Sequence, residues 1–148
     1  MKKFKFQLES LMTLRERNEQ IARQALAGVL GEIEDVKRNI NELKEMRSSA
    51  TEQWVSSTQE GFSNKDRVAF EFQIQSLEQQ SLALEQSLKN FETKRQQAFK
   101  QLEKASQEKR IVERMKEKRF LEYTREAEKQ EANEIEDIFN ARRKGVWS

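Results

Sequence analysis

The chain contains no cysteine, no histidine and no proline, and it has only four glycines among 148 residues. Without cysteine there is no disulfide framework or thiolate metal site, and without histidine there is no imidazole base or ligand. Turns between many strands need glycine and proline, so most sheet architectures are excluded. Carboxylates could still catalyse, but the enclosed pocket they need is hard to build from 35% apolar residues. We therefore expect a non-enzymatic protein without catalytic residues, metal, cofactor or small-molecule substrate.

The charged residues are numerous but balanced in sign. They make up 36% of the chain, with 28 bases against 26 acids and a net charge of +2. Residues 1–74 carry 12 charges of each sign, so no global field favours nucleic acid as a partner. No segment approaches the about 18 apolar residues of a membrane span, and the basic start is not followed by the apolar run of a signal peptide. The sequence is typical of a cytosolic protein.

Two long heptad patterns occupy most of the chain. Apolar residues recur at alternating spacings of three and four over residues 26–54, which is the pattern of a coiled-coil seam. Arg47 interrupts this first seam, and Arg15 and Glu19 weaken its extension toward the N-terminus. A second seam with the same spacing covers residues 70–112, after which the strict heptad is lost. Two such seams predict two helices that pack against each other.

The densest cluster of turn-forming residues, 56–64, lies between the two seams and contains Gly61. Ser63 followed by Asp66 predicts a helix N-cap, and Gly145 predicts a helix end. We therefore expect a single coiled-coil domain over 1–148, with a helix over about 7–58, a turn over about 59–63 and a helix over about 64–143. A short connection makes the helices antiparallel. The predicted fold class is an all-α, antiparallel two-helix hairpin with a longer second helix. A parallel dimer with one unbroken rod is the competing structure, and Gly61 argues against it.

The second helix is predicted to extend beyond its partner. Folding at about residue 61 pairs residue i with roughly residue 122 − i, so residues after about 115 have no partner in the chain. This overhang keeps an apolar stripe that is typical of a helix that binds another protein. The alternative is that the overhang packs on a second copy of itself. Its apolar members are Phe120, Tyr123, Ile135, Ile138 and Phe139.

The overhang also carries two charge blocks of opposite sign. Residues 109–119 contain six bases and two acids, and residues 120–137 contain seven acids and two bases. Such blocks can orient a helix in a complementary protein socket. The alternative is an ordinary solvated surface with ion pairs between neighbouring turns.

Aromatic residues gather near the predicted turn. Trp54 and Phe70 fit the seams, whereas Phe62 and Phe72 lie off them. Exposed aromatic side chains are common anchors of protein interfaces. The alternative is that all four pack together and only hold the turn in place.

The two ends of the chain carry distinctive patterns. Residues 4–17 contain alternating phenylalanines, paired leucines and an Arg-Glu. Residues 112–119 are followed by Tyr123 and the acidic stretch 131–138. These patterns resemble the opening and the C-terminal part of the FliJ family of flagellar export proteins. The length and the two-helix layout agree over the whole chain.

The resemblance implies a non-enzymatic stalk and adaptor of bacterial flagellar type III export, similar in fold to the rotor stalk of F-type ATPases. It implies insertion into the hexameric export ATPase, promotion of its activity, contact with the membrane export gate protein and escort of export chaperones. Association with the inner membrane at the flagellar base would occur only through these partners. The alternatives are the equivalent stalk of a virulence type III secretion system and a generic cytosolic coiled-coil chaperone or spacer.

The rotor-stalk analogy further implies that the two termini enter the ATPase ring and that the turn-side half faces the gate. The ATPase-binding residues expected on this basis are Phe4, Phe6, Leu8, Arg114, Lys118, Arg119, Phe120 and Tyr123. The gate-binding residues expected are Arg47, Trp54, Phe62 and Phe72.

Overall fold

The computed structural model of the protein describes residues 2–145, which form two long helices. Helix α1 runs over Glu9–Glu60 and helix α2 over Asn64–Arg143, with 52 and 80 residues respectively. Between residues 2 and 145 there is no strand. The fold is the predicted all-α, antiparallel two-helix hairpin with the longer helix second. Each helix begins and ends within about two residues of its expected limits, which is the usual uncertainty of a helix end.

The turn between the helices has the geometry that its sequence predicts. Gly61 has a φ of +96°, a left-handed conformation that glycine adopts without steric cost. The Asp66 amide donates to Ser63 Oγ at 3.2 Å, and the Ser63 amide donates to an Asp66 carboxylate oxygen at 3.1 Å. This reciprocal pair is a capping box, so the predicted N-cap is confirmed. Gly145, with a φ of +77°, follows the end of α2 as expected.

Contacts divide the described chain into two compact units. The terminal unit comprises residues 2–20 and 103–145, and the turn unit comprises Ile21–Leu102. In the turn unit the buried side chains are seam residues of the two helices, namely Ile33, Val36, Ile40, Ala50 and Ala98. In the terminal unit the buried apolar side chains are Phe6, Met12 and Val112. Both cores are narrow, as expected of a two-helix coiled coil.

Arg47 and Arg95 occupy seam positions of α1 and α2 but are exposed. The Nε of Arg95 lies 2.8 Å from a carboxylate oxygen of Glu92 on the same helix. An ion pair one turn away satisfies the guanidinium without burying it.

Neither helix, over its described length, is long and apolar enough to cross a membrane.

Candidate protein-binding surfaces

The chain before α1 packs against α2 within the terminal unit. Residues 2–6 have no regular secondary structure, yet Phe6 is only 7% exposed and forms a buried cluster with Met12 and Val112. Leu8 packs against this cluster and is half-buried. An aromatic side chain buries a large apolar area. Phe6 therefore holds the N-terminal segment, residues 2–8, in place.

Phe4 extends this packing to the part of α2 that was expected to be free. Its ring centroid lies 5.3 Å from that of Phe120 in an edge-to-face arrangement, and 5.5 Å from that of Tyr123. The Tyr123 hydroxyl donates a hydrogen bond to the backbone carbonyl of Lys2. The prediction that Phe120 and Tyr123 lack an internal partner is therefore wrong.

The physical reason is the conformation of the N-terminal segment. An extended residue advances about 3.3 Å, whereas a helical residue advances 1.5 Å. Residues 2–6 are not helical, so each of them can cover more of α2 than a helical residue. The expected start of the overhang, about residue 115, is the partner of residue 7 in the pairing rule and leaves out the segment before the first helix. The part of α2 that is exposed at every position is residues 128–140.

The heptad of α2 continues past Val112 in a form that apolar residues alone do not reveal. Lys116, Arg119 and Tyr123 follow Val112 at spacings of four, three and four, and all three are half-buried. The Lys116 ammonium and the Arg119 guanidinium lie 6.0 and 5.6 Å from the centre of the Phe6 ring. Both contacts fall within the range of cation–π attraction. The sequence contains this continuation of the heptad as a spacing of four, three and four residues. Long basic side chains occupy two of the positions that leucine usually fills.

Arg15 and Glu19, the polar residues that weaken the first seam, each pair with a residue of α2 in the terminal unit. Arg15 contacts Glu108 at 2.9 Å, and Lys109 contacts Glu19 at 3.2 Å. Glu19 is buried, with 8% of its surface exposed. The hydrogen bond from Lys109 to Glu19 raises the pKa of the Lys109 ammonium above its ordinary value of 10.5, although partial burial opposes the shift. The Lys109 ammonium is therefore charged at neutral pH, and its contact with Glu19 links the two helices at one register.

The exposed surface of the terminal unit is basic around the N-terminal segment. Arg114 and Lys118 are exposed on α2, while Arg119 is half-buried over Phe6. Three further lysines are exposed on the N-terminal segment, namely Lys2, Lys3 and Lys5. We call the five exposed bases the basic collar. A cluster of cations next to the half-exposed ring of Phe120 is suited to an acidic protein surface.

The turn unit carries an aromatic cluster beside the turn. Trp54 stacks on Phe70 with ring centroids 4.8 Å apart and an angle of 6° between the rings. Phe62 lies 5.0 Å from Trp54 and is 52% exposed. Trp54 and Phe70 therefore stabilise the turn, as the packing interpretation predicts, while Phe62 retains an exposed face.

Phe72 has a different environment from the rest of the predicted gate-binding set. It is 74% exposed and lines a shallow hollow of about 450 Å³ together with Asn64, Lys65, Val68 and Ala69. Arg47, the base that interrupts the first seam, lies 2.8 Å from Glu78 on α2, so its charge is already paired. Phe62 and Phe72 are thus the members of this set with the most accessible apolar surface.

Within residues 2–145 no group of three or more acidic side chains is arranged to hold a metal ion. The hollows that line the described helices are open grooves beside the seams, such as the one of about 400 Å³ next to Arg47. The chemically distinctive groups are the basic collar, the exposed aromatic rings and the unpartnered end of α2. The class defined by this structure is an antiparallel two-helix coiled-coil protein with exposed charged and aromatic surfaces.

The family model described as "Flagellar FliJ protein" matches residues 4–143. The chain therefore belongs to the FliJ family, and its role is related to flagellar type III export. No curated protein and no solved structure gives a significant match. The expectation drawn from the ends of the sequence is confirmed at the level of the family.

Proposed function

We propose that the protein is a non-enzymatic stalk and adaptor of flagellar type III export. It binds the hexameric export ATPase, promotes the activity of that enzyme, and links it to the membrane export gate and to export chaperones. The observation that carries this proposal is the family match, which spans both helices and the N-terminal segment that packs on them. A flagellar family also favours this system over the corresponding stalk of a virulence apparatus.

The ATPase-binding surface in this proposal is the terminal unit. Arg114, Lys118 and the exposed ring of Phe120 make direct contact, and Lys3 and Lys5 add to the positive field. The remaining members of the set hold this surface in shape from beneath, since they are buried or half-buried: Phe4, Phe6, Leu8, Arg119 and Tyr123. The partner surface is acidic, because charge complementarity orients a complex and accelerates its formation.

The gate-binding surface in this proposal is the turn unit. Phe62 and Phe72 insert into the gate protein, since they are the most exposed aromatic rings of the group. Trp54 supports Phe62 from behind, and Arg47 lies farther along the same hairpin, paired with Glu78. This arrangement places the two partners on different units, so each contact can be disrupted separately. The protein acts in the cytoplasm at the flagellar base and reaches the membrane only through these partners.

The test measures binding of the purified ATPase and of the soluble part of the gate protein by titration calorimetry. The variant Lys5→Glu/Arg114→Glu is expected to weaken ATPase binding by about tenfold or more, and to leave gate binding unchanged. The variant Phe62→Ala/Phe72→Ala is the matched control, with the opposite outcome expected. If both variants bind the ATPase as the parent protein does, the terminal unit is not the ATPase-binding surface.

A further inference from the structure

The face of α2 that points away from the seam carries a second apolar stripe within the terminal unit. Ile111, Leu121, Ile135 and Phe139 are each more than half exposed. Counted from the seam residues Val112, Lys116, Arg119 and Tyr123, they lie at heptad positions c and f, which face away from the seam and are ordinarily polar in a two-helix hairpin. Neither the packing of the hairpin nor the proposed ATPase contact accounts for Ile135 and Phe139. An exposed stripe of large apolar side chains is typical of an interaction surface.

Charge along this stripe selects one kind of partner. Within residues 109–119 the exposed charges are three bases, Arg110, Arg114 and Lys118, and one acid, Glu117. Residues 127–137 carry five acids and one base. The order of the basic and acidic blocks along α2 is complementary to the same order read in the opposite direction. A second copy that runs antiparallel brings each basic block against the acidic block of the other copy. A parallel copy would place like charges together, which is unfavourable.

We propose that the protein forms an antiparallel homodimer through this face of α2, with its twofold axis at the level of Tyr123. In this register residue i lies opposite residue 246 − i of the second copy, by counting positions along two reversed helices. Ile111 then contacts Ile135 of the second copy, and Lys118 lies opposite Glu128 of the second copy. Each contact occurs twice, as twofold symmetry requires.

The dimer is weak and reversible. Only four large apolar side chains per copy become buried, and the interface is near the lower limit of specific protein interfaces. We expect a dissociation constant in the range of roughly tens of micromolar at low salt. Added salt weakens the dimer, because the ion pairs at its edges are exposed to solvent. The dimer goes beyond the proposed function, and it is tested on the protein alone.

Sedimentation equilibrium over a wide concentration range measures the dimer directly. Leu121→Lys is expected to make the protein monomeric at every concentration, because residue 121 lies opposite Arg125 of the second copy and the change creates two like-charge pairs near the twofold axis. Leu82→Lys is the matched control: Leu82 is 65% exposed but lies in the turn unit, and this variant should dimerise as the parent does. Circular dichroism verifies that both variants remain helical. A parent protein that is monomeric throughout overturns the proposal, and so does a dimer that Leu121→Lys leaves intact.

Charge reversal tests the orientation. Lys118→Glu and Glu128→Lys are each expected to weaken the dimer by roughly tenfold, because two attractive pairs become repulsive. The double variant Lys118→Glu/Glu128→Lys restores the pairs with their signs exchanged, and should dimerise as the parent does. A double variant that is weaker than either single variant contradicts the antiparallel register.

Since the chain has no cysteine, introduced thiols give a second readout. A mixture of Lys118→Cys and Glu128→Cys is expected to form a disulfide-linked heterodimer under mild oxidation, in preference to the disulfide of either variant with itself. Random linkage among the three products would contradict the proposed register.

Discussion

At the scale of single residues, the N-terminal segment depends on one ring. Phe6 is buried between the two helices and lies beneath two cations, whereas Phe72 is largely exposed. We predict that Phe6→Ala lowers the free energy of unfolding by about 3 kcal/mol, as is usual for truncation of a buried phenylalanine. Phe72→Ala, the control, should change it by less than about 0.5 kcal/mol. Urea denaturation followed by circular dichroism measures both, and equal effects would show that Phe6 is not a core residue.

The ion pair between half-buried Lys109 and buried Glu19 leads to a prediction about pH. The pKa of Lys109 is raised by its hydrogen bond to Glu19, so folding favours the ammonium form. The stability that this adds is fully present below the ordinary value of 10.5, and is lost as the pH rises through the higher pKa of the folded state. Glu19→Gln is therefore expected to be less stable than the parent protein by a constant amount from roughly pH 6 to 9.

Above that range the difference between Glu19→Gln and the parent should shrink as Lys109 loses its proton. Glu16→Gln, at an exposed position of the same helix, provides the control. Thermal unfolding at a series of pH values measures these differences. A difference that grows at alkaline pH would contradict the assigned pair.

The sequence predicted the seam residues correctly because burial at heptad positions follows from helix geometry alone. It did not predict the partner of Phe120, since Phe4 reaches that ring through a non-helical segment whose path depends on tertiary packing. It also did not predict the roles of Lys116 and Arg119. Their aliphatic stems and cations cover an aromatic ring, a contact that a pattern of apolar residues does not record.

At the scale of the helices, alanine substitutions of one glycine in α1 and one in the following turn are expected to change the stability of the protein in opposite directions. Gly28 lies in the helix interior, and a Cβ added there would meet no atom within 4 Å. Gly28→Ala should therefore stabilise the protein by about 0.5–1 kcal/mol through helix propensity. Gly61 has a positive φ, and Gly61→Ala should destabilise the protein by about 1 kcal/mol. Chemical denaturation distinguishes them, and two changes of the same sign would contradict the assigned backbone conformations.

Truncation of α2 tests where its contacts with the rest of the chain end, because only the loss of contacting residues should lower stability. A variant that lacks residues 129–148 keeps the contacts of Phe4 with Phe120 and Tyr123. Its hairpin should lose no more than about 0.5 kcal/mol. A variant that lacks residues 121–148 also loses the Tyr123 ring and its hydrogen bond to Lys2, and should lose about 1–2 kcal/mol. Equal stability of the two truncated proteins would show that the N-terminal segment does not hold α2.

At the scale of the whole molecule, the hairpin followed from the sequence because each level of the pattern agreed. The antiparallel two-helix topology is indicated by the two heptad seams and by the turn between them, which has a glycine and a capping box. The lack of proline agrees with the same topology. The partners do not follow in this way, because a binding surface is defined together with a second molecule. Exposed Phe62 or Arg114 indicates where a partner can bind, whereas the family match indicates which system contains that partner.

The central claim is that this hairpin promotes the activity of the export ATPase through its terminal unit. Steady-state ATP hydrolysis by the purified hexamer, measured over a wide range of added hairpin, tests this claim most directly. We predict that the hairpin alone hydrolyses no ATP, that it raises the turnover of the hexamer, and that Lys5→Glu/Arg114→Glu loses most of this effect while Phe62→Ala/Phe72→Ala retains it. An unchanged turnover at every ratio of hairpin to hexamer would contradict the account.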